Sequence, residues 1–242
     1  NFTGVYPQVT LGGVTLVSDA DYYPSLRTSA SELWITLNRN LSGATNHLQI
    51  LAPSGVPSAP TGVTAAAVTS TSVGITWNSV AGASSYQIDR KAAGGAFTQI
   101  GTPATNSFSD TTAVANAAYL YQIRAVNGSG PSANSLPDLA TTVIFTDTTL
   151  TTGIAVKAVH LAQLRTAVNA VRSLANLSAA VFTDAATAGT PIKAVHVTEL
   201  RTAVDAARSA LSLSTGGYTD APPLTGVIVK AVHFQELRVR VQ

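Results

Sequence analysis

A segment written three times near the C-terminus restricts the fold more than any other feature of this chain. It opens as Phe145-Thr146-Asp147, Phe182-Thr183-Asp184 and Tyr218-Thr219-Asp220. Each opening leads into an apolar-rich run: Val156-Lys157-Ala158-Val159-His160, Ile192-Lys193-Ala194-Val195-His196 and Val229-Lys230-Ala231-Val232-His233. The runs close on Leu164-Arg165, Leu200-Arg201 and Leu237-Arg238, and the three histidines recur at intervals of 36 and 37 residues. A period of that size marks stacked supersecondary units, none of which can bury its apolar face alone. In the first copy Val156, Val159, Leu161, Leu164, Val168, Val171 and Leu174 fall on one stripe of period 3.6. The second copy repeats it with Ile192, Val195, Val197, Leu200, Val204, Ala207 and Leu211. Each copy is therefore expected to be an extended aromatic-Thr-Asp segment followed by a helix of roughly 18 to 20 residues, with Thr190-Pro191 as a helix start. The third helix reaches Gln242 about two turns sooner than its siblings, so the array is expected to end on an open face.

Upstream, the pattern changes to period 2. Gln8–Leu11, Val14–Val17, Leu33–Leu37 and His47–Leu51 read as short strands, with Gly12-Gly13 and Ser42-Gly43 as turns. This stretch, residues 1–57, resembles part of an immunoglobulin-like module of bacterial surface proteins. Four strands fall short of the roughly seven of a closed sandwich, so the module is expected to lean on a neighbour or accept a strand. After a Pro-rich linker from Ala52 to Pro60, residues 58–143 carry Pro60 and Val63, Val73-Gly74-Ile75-Thr76-Trp77, Tyr86-Gln87-Ile88-Asp89-Arg90 and Tyr119-Leu120-Tyr121-Gln122-Ile123-Arg124-Ala125. These residues resemble a fibronectin type III domain. The resemblance implies a β-sandwich with Trp77 in its core and Tyr119 as a corner tyrosine whose hydroxyl reaches back to the preceding loop. It also implies a spacer or assembly role. Residues 144–242, divided as 144–181, 182–217 and 218–242, loosely resemble surface-layer homology repeats. They are closer to short Lys-Ala-Val-His…Glu-Leu-Arg repeats of bacterial secreted proteins.

The chemistry available is narrow. The chain has no cysteine, which removes disulfides, thiolate metal sites and thiol nucleophiles. Its net charge of +2 comes with no dense basic face of the kind that phosphate binding requires. The absence of methionine at position 1 reads as processing or excision from a longer precursor. No apolar run approaches the roughly 20 residues of a membrane span. The twelve carboxylates include no pair framed by aromatics, and no nucleophile elbow or phosphate loop is present.

The recurring polar residues leave two readings. Asp147, His160, Asp184, His196, Asp220 and His233 read as structural, each imidazole near a helix start bonding the Asp loop. A metal reading draws on His196 with Glu199 and His233 with Glu236, but the first copy has Gln163 at that place. Lys157, Arg165, Arg172, Lys193, Arg201 and Arg208 are spaced to share one side of each helix. They form a possible interaction face for glycans, or else pair with the Asp of an adjacent unit. Asn169 and Asp205 interrupt that strip, which argues against nucleic acid.

The expected fold is thus multi-domain β plus α: an immunoglobulin-like module, a fibronectin type III sandwich and a helical repeat array. No catalytic, cofactor or metal site is read. The expected role is a non-enzymatic structural subunit of an extracellular bacterial surface assembly such as a filament or sheath. Copies would associate head to tail with each other. The alternative is an anchor region binding cell-wall polysaccharide for a larger secreted enzyme or adhesin.

Overall fold

The computed structural model describes residues 8–12, 14–17, 20–27, 32–38, 48–51, 55–151, 153–221, 224 and 226–242. The chain divides into two units, Asn1–Val56 with Gly128–Gly130, and Pro57–Asn127 with Pro131–Gln242. In the first, β1 (Gln8–Leu11), β2 (Val14–Thr15) and β5 (Leu48–Leu51) form an antiparallel sheet in the order β2-β1-β5. Gly12, at φ +55°, begins the turn that pairs Leu11 with Val14, a conformation glycine adopts without strain. Strands β3 (Tyr22–Arg27) and β4 (Glu32–Leu37) pair separately. The sequence reading did not include β3, which contains Pro24. Proline has no N–H to give to a ladder and is tolerated in an edge strand. Val9, Leu16 and Tyr22 are buried together. The expected turn at Ser42-Gly43 and the expected strand start at His47 lie outside the described residues.

The second unit begins with a sandwich. One sheet has the order β10-β7-β6, from β6 (Thr64–Thr69), β7 (Ser72–Thr76) and β10 (Ser107–Asp110). In the other, β8 (Ser85–Lys91) lies between β9 (Phe97–Gly101) and β11 (Ala118–Asn127), and a short β12 (Gly130–Pro131) follows β11. Strand β13 (Asp138–Thr141) pairs with the first half of β11. Alternation sends Val73, Ile75, Trp77, Tyr86, Ile88, Tyr119, Tyr121, Ile123 and Ala125 into one core. Gly101 is required by close packing, since a Cβ there would sit 2.4 Å from the Phe108 ring.

Three polar contacts fix this core. The Tyr119 hydroxyl accepts the Val114 N–H at 2.9 Å, as a corner tyrosine does. The Tyr86 hydroxyl accepts the Val80 N–H, and its ring meets Trp77 edge-on at 5.1 Å. Asp110, buried, receives Arg90 at 2.7 Å and the Tyr121 hydroxyl at 2.9 Å. Burial pushes the Asp110 carboxyl up, but hydrogen bonds from Thr112, Arg90 and Tyr121 outweigh it and hold the group below its ordinary value. Tyr119→Phe is expected to cost about 1 kcal/mol, the net worth of one hydrogen bond plus an orphaned donor. Urea unfolding followed by Trp fluorescence checks this.

Three helices complete the unit: α1 (Ala158–Leu174), α2 (Ala194–Ala210) and α3 (Ala231–Arg240). They start two residues later than the apolar run predicts. Lys157, Lys193 and Lys230 occupy the extended N-cap position, and the histidine three residues on accepts the cap's backbone N–H through Nδ1, at 3.2 Å in every copy. This satisfies a donor that the helix itself leaves unpaired. It also turns His160 and His196 inward, so Val159 and Val195 are not in the buried stripe; each is 40% exposed. Thr190-Pro191 is not the helix start either, since the Thr190 hydroxyl bonds the Ala185 carbonyl in the loop before α2.

Helices α1 and α2 stop by the same device. Asn176 and Ser212 take positive φ, and the next residue's N–H returns to the Arg172 or Arg208 carbonyl, closing a Schellman motif.

The core beneath these helices is shared with the sandwich. Leu161, Leu164, Val168, Val171, Leu174, Val197, Leu200, Val204, Phe234 and Leu237 pack in one cluster with Ala118, Leu120, Leu139 and Val143. Strand β11 is therefore buried on both faces over its first four residues, with Tyr119 and Tyr121 facing the sandwich and Leu120 the helices.

Candidate functional site

Each aromatic-Thr-Asp segment is held by its own helix from one side. Asp147, Asp184 and Asp220 sit at φ between +53° and +59°, a left-handed conformation that Asp tolerates better than most residues. The turn aims each carboxylate at the helix start of its own unit. Asp147 Oδ2 lies 3.1 Å from His160 Nε2, Asp184 Oδ2 3.3 Å from His196 Nε2, and Asp220 Oδ2 3.0 Å from His233 Nε2. Because Nδ1 of each ring accepts a backbone N–H, the ring proton is on Nε2 and donates to the carboxylate. The ammonium groups of Lys157, Lys193 and Lys230 donate to the same oxygens at 3.3, 2.6 and 2.9 Å. The Thr N–H of each segment is taken by the side chain three residues after the histidine: Gln163 Oε1 at 3.0 Å, Glu199 Oε1 at 3.0 Å and Glu236 Oε1 at 2.9 Å. Gln163 and the two glutamates share the acceptor role, and Gln163 also donates Nε2 to the Ile144 carbonyl and the Thr146 hydroxyl.

From the other side each segment is held by a different unit. Arg165 of α1 donates Nη1 to the Asp184 carbonyl and Nη2 to the Thr183 carbonyl, both at 2.7 Å. Arg201 of α2 does the same to Asp220 and Thr219, both at 2.8 Å. Arg238 of α3 returns to the first unit, donating to the carbonyls of Asp147 and of Thr146, the latter at 2.8 Å. The guanidinium planes cover Phe182, Tyr218 and Phe145 at 4.8, 4.4 and 4.8 Å from the ring centroids, a cation–π contact in each case. The three units therefore close into a ring, one to two, two to three and three to one. The expectation of an open last face does not hold: α3 spends that side on the first unit, and Gln235 Oε1 also accepts the Leu150 N–H at 3.0 Å.

The same contacts account for the six basic residues read as an interaction face. Arg165 and Arg201 keep only 11% and 5% of their side-chain surface. Arg172 donates to the Ser178 and Ala203 carbonyls, and Arg208 to those of Ser214 and Arg240. Only Lys157 and Lys193 stay more than half exposed, and both are paired with Asp. Spacing could find the arginines but not their acceptors, because the acceptors are backbone carbonyls.

His160, His196 and His233 are fully buried with both nitrogens engaged, so in this state none has a lone pair for a metal or a substrate. Among the described residues no three His, Cys, Asp or Glu side chains converge as a metal site. The carboxyls of Asp147, Asp184 and Asp220 are held below their ordinary value of 3.8, first by the Lys hydrogen bond and then by the His one. A carboxylate depressed in the folded state contributes stability above its unfolded pKa and loses it as pH falls through the folded value. The urea midpoint of this unit is thus expected to fall as the pH drops below about 4. The triple replacement of these aspartates by asparagine should flatten that dependence, and a midpoint insensitive to acid would contradict it.

Comparison with known proteins supports part of the reading. Residues 58–138 match the model of the fibronectin type III domain. Among solved structures, a Fn3-like protein from Clostridium thermocellum is 29% identical over 36% of this chain and 94% of its own, at a TM-score of 0.33. The structure titled FN3tt mut is 25% identical over 36% of this chain and 98% of its own, also at 0.33. The FN5 domain of Drosophila Lar is 23% identical over 35% and 94%, at 0.31. No curated protein matches the chain.

Proposed function

We propose, with a fibronectin type III domain at residues 58–138 as the premise, that the chain is a non-enzymatic structural segment of an extracellular bacterial surface assembly. The observation that carries this reading is how the recurring polar residues are used. Each repeated Asp, His, Lys, Glu or Gln and Arg is spent on holding one segment or on joining two units. A continuous core then joins the helical repeat array to the sandwich, so the second unit behaves as one stiff body.

Stacking of intact rings on one another is not the route to assembly, because a closed ring satisfies its own faces. Strand addition is the route at the immunoglobulin-like end. There β5 stands at the end of the sheet and, among the described residues, is paired on one side only, with β1. Light scattering and electron microscopy of the purified chain test the proposal. Concentration-dependent oligomers or fibres are expected, and a monodisperse monomer at high concentration overturns it. Saturable retention on purified cell-wall polysaccharide would favour the anchor role instead.

A further inference from the structure

The junction that closes the ring joins segments far apart in the chain. Arg238 reaches Thr146 across 92 positions, whereas Arg165 and Arg201 reach acceptors 18 and 19 positions away. What it recognises is generic: two backbone carbonyls and an aromatic ring, presented alike by all three units. A docking site of that kind does not distinguish the chain's own third unit from that of another copy.

The linkers into the second and third units differ. Residues 176–181 read Asn-Leu-Ser-Ala-Ala-Val, while residues 212–217 read Ser-Leu-Ser-Thr-Gly-Gly. Gly216 has φ +60°, a conformation in which any other side chain would be strained. Once the bonds from Arg208 and Arg240 to the Ser214 and Gly217 carbonyls open, glycine and serine leave this linker many accessible conformations.

We propose that residues 218–242 are an exchangeable element. In concentrated protein this unit leaves its own ring and docks between the first and second units of another copy, remaking the Arg201 and Arg238 clamps in trans. The bonds are the same in either form, so concentration sets the balance. Reciprocal exchange gives a closed pair, and one-way exchange gives a head-to-tail chain. This inference rests on the self-association reading above and supplies a second, separable route to it.

The test uses the full chain, which has no native cysteine. Ala155 of the first unit and Val232 of the third, both exposed, line one concavity at the closing junction. Copies carrying Ala155→Cys are mixed with copies carrying Val232→Cys, incubated and treated with a short bismaleimide, and the linked peptides are identified by mass spectrometry. The expected product is an interchain link between positions 155 and 232. In the dilute regime its fraction should rise about tenfold for a tenfold rise in protein. The double variant, diluted, should link within one chain. The proposal is overturned if the double variant links internally while the mixture gives no 155–232 link, and equally if the double variant does not link at all. Oligomers in light scattering without that link would leave self-association standing and remove exchange. The link with closed pairs alone would keep exchange and remove the extended assembly.

Discussion

Arg238→Ala is expected to lower the stability of the second unit by about 3 kcal/mol, among the largest effects of any single truncation in the chain. Arg238 is 2% exposed, and it donates to two carbonyls and covers the Phe145 ring. Hydrogen bonds from a charged donor are worth about 1.5 to 3 kcal/mol each, and the stacked ring adds about 1. Against this stands the cost of burying the guanidinium, which already pushes its pKa down. The alanine variant escapes that cost but forfeits both charged-donor bonds and the contact with the Phe145 ring, and those dominate. Arg238→Lys should recover only part of the loss, since an ammonium cannot span both carbonyls in a fixed fork. Arg201→Ala should behave alike, and Arg165→Ala less severely, its side chain being 11% exposed. Urea unfolding gives the magnitude, and hydrogen exchange should show Thr146 to Leu150 losing protection together with α3. A loss below about 1 kcal/mol would mean that the ring is not held by this clamp.

Residue types and spacing carried much of this architecture in advance, and it is instructive where they did not. Tyr119 was legible because a corner tyrosine is defined by its place in a strand pattern, and its bond to Val114 follows from that place. The His and Asp pairs were legible because they recur together, so that whatever one copy does with them all three must do. Helix register was not. Period 3.6 puts Val159 and Val195 on the apolar stripe, yet a histidine that caps the helix with Nδ1 and faces inward with Nε2 takes the buried place beside them. Hydropathy alone cannot see that an imidazole with both nitrogens bonded is a suitable core residue. Ring closure was hidden for a related reason. An open array and a closed one have the same sequence period, and the partners of Arg238 and Gln235 in the first unit separate them. In the first unit the reading missed β3, whose Pro24 argues against a central strand but not against an edge one.

Leu120→Asp is the second substitution with a large expected effect, and it probes a different joint. Sandwich strands with one face in solvent alternate buried and exposed residues, so Leu120, between Tyr119 and Tyr121, reads from the sequence as an outward position. In the structure it is 3% exposed and lies in the helical cluster with Leu139, Leu161 and Leu164. Truncating a buried leucine costs about 2 to 5 kcal/mol, and a carboxylate in its place adds a desolvation penalty that no nearby cation offsets in the described contacts. The expected loss is at least about 4 kcal/mol, enough to separate the helices from the sheet. The effect should be directional. The core of Trp77, Tyr86, Tyr119 and Tyr121 on the opposite face of β11 does not use Leu120, so exchange protection in β7 and β8 should outlast that in α1. Uniform loss of protection across sheet and helices would instead mean that they unfold as a single cooperative body. A variant as stable as the parent would mean that Leu120 contributes no packing at all, and that the sandwich and the three-helix ring are merely tethered.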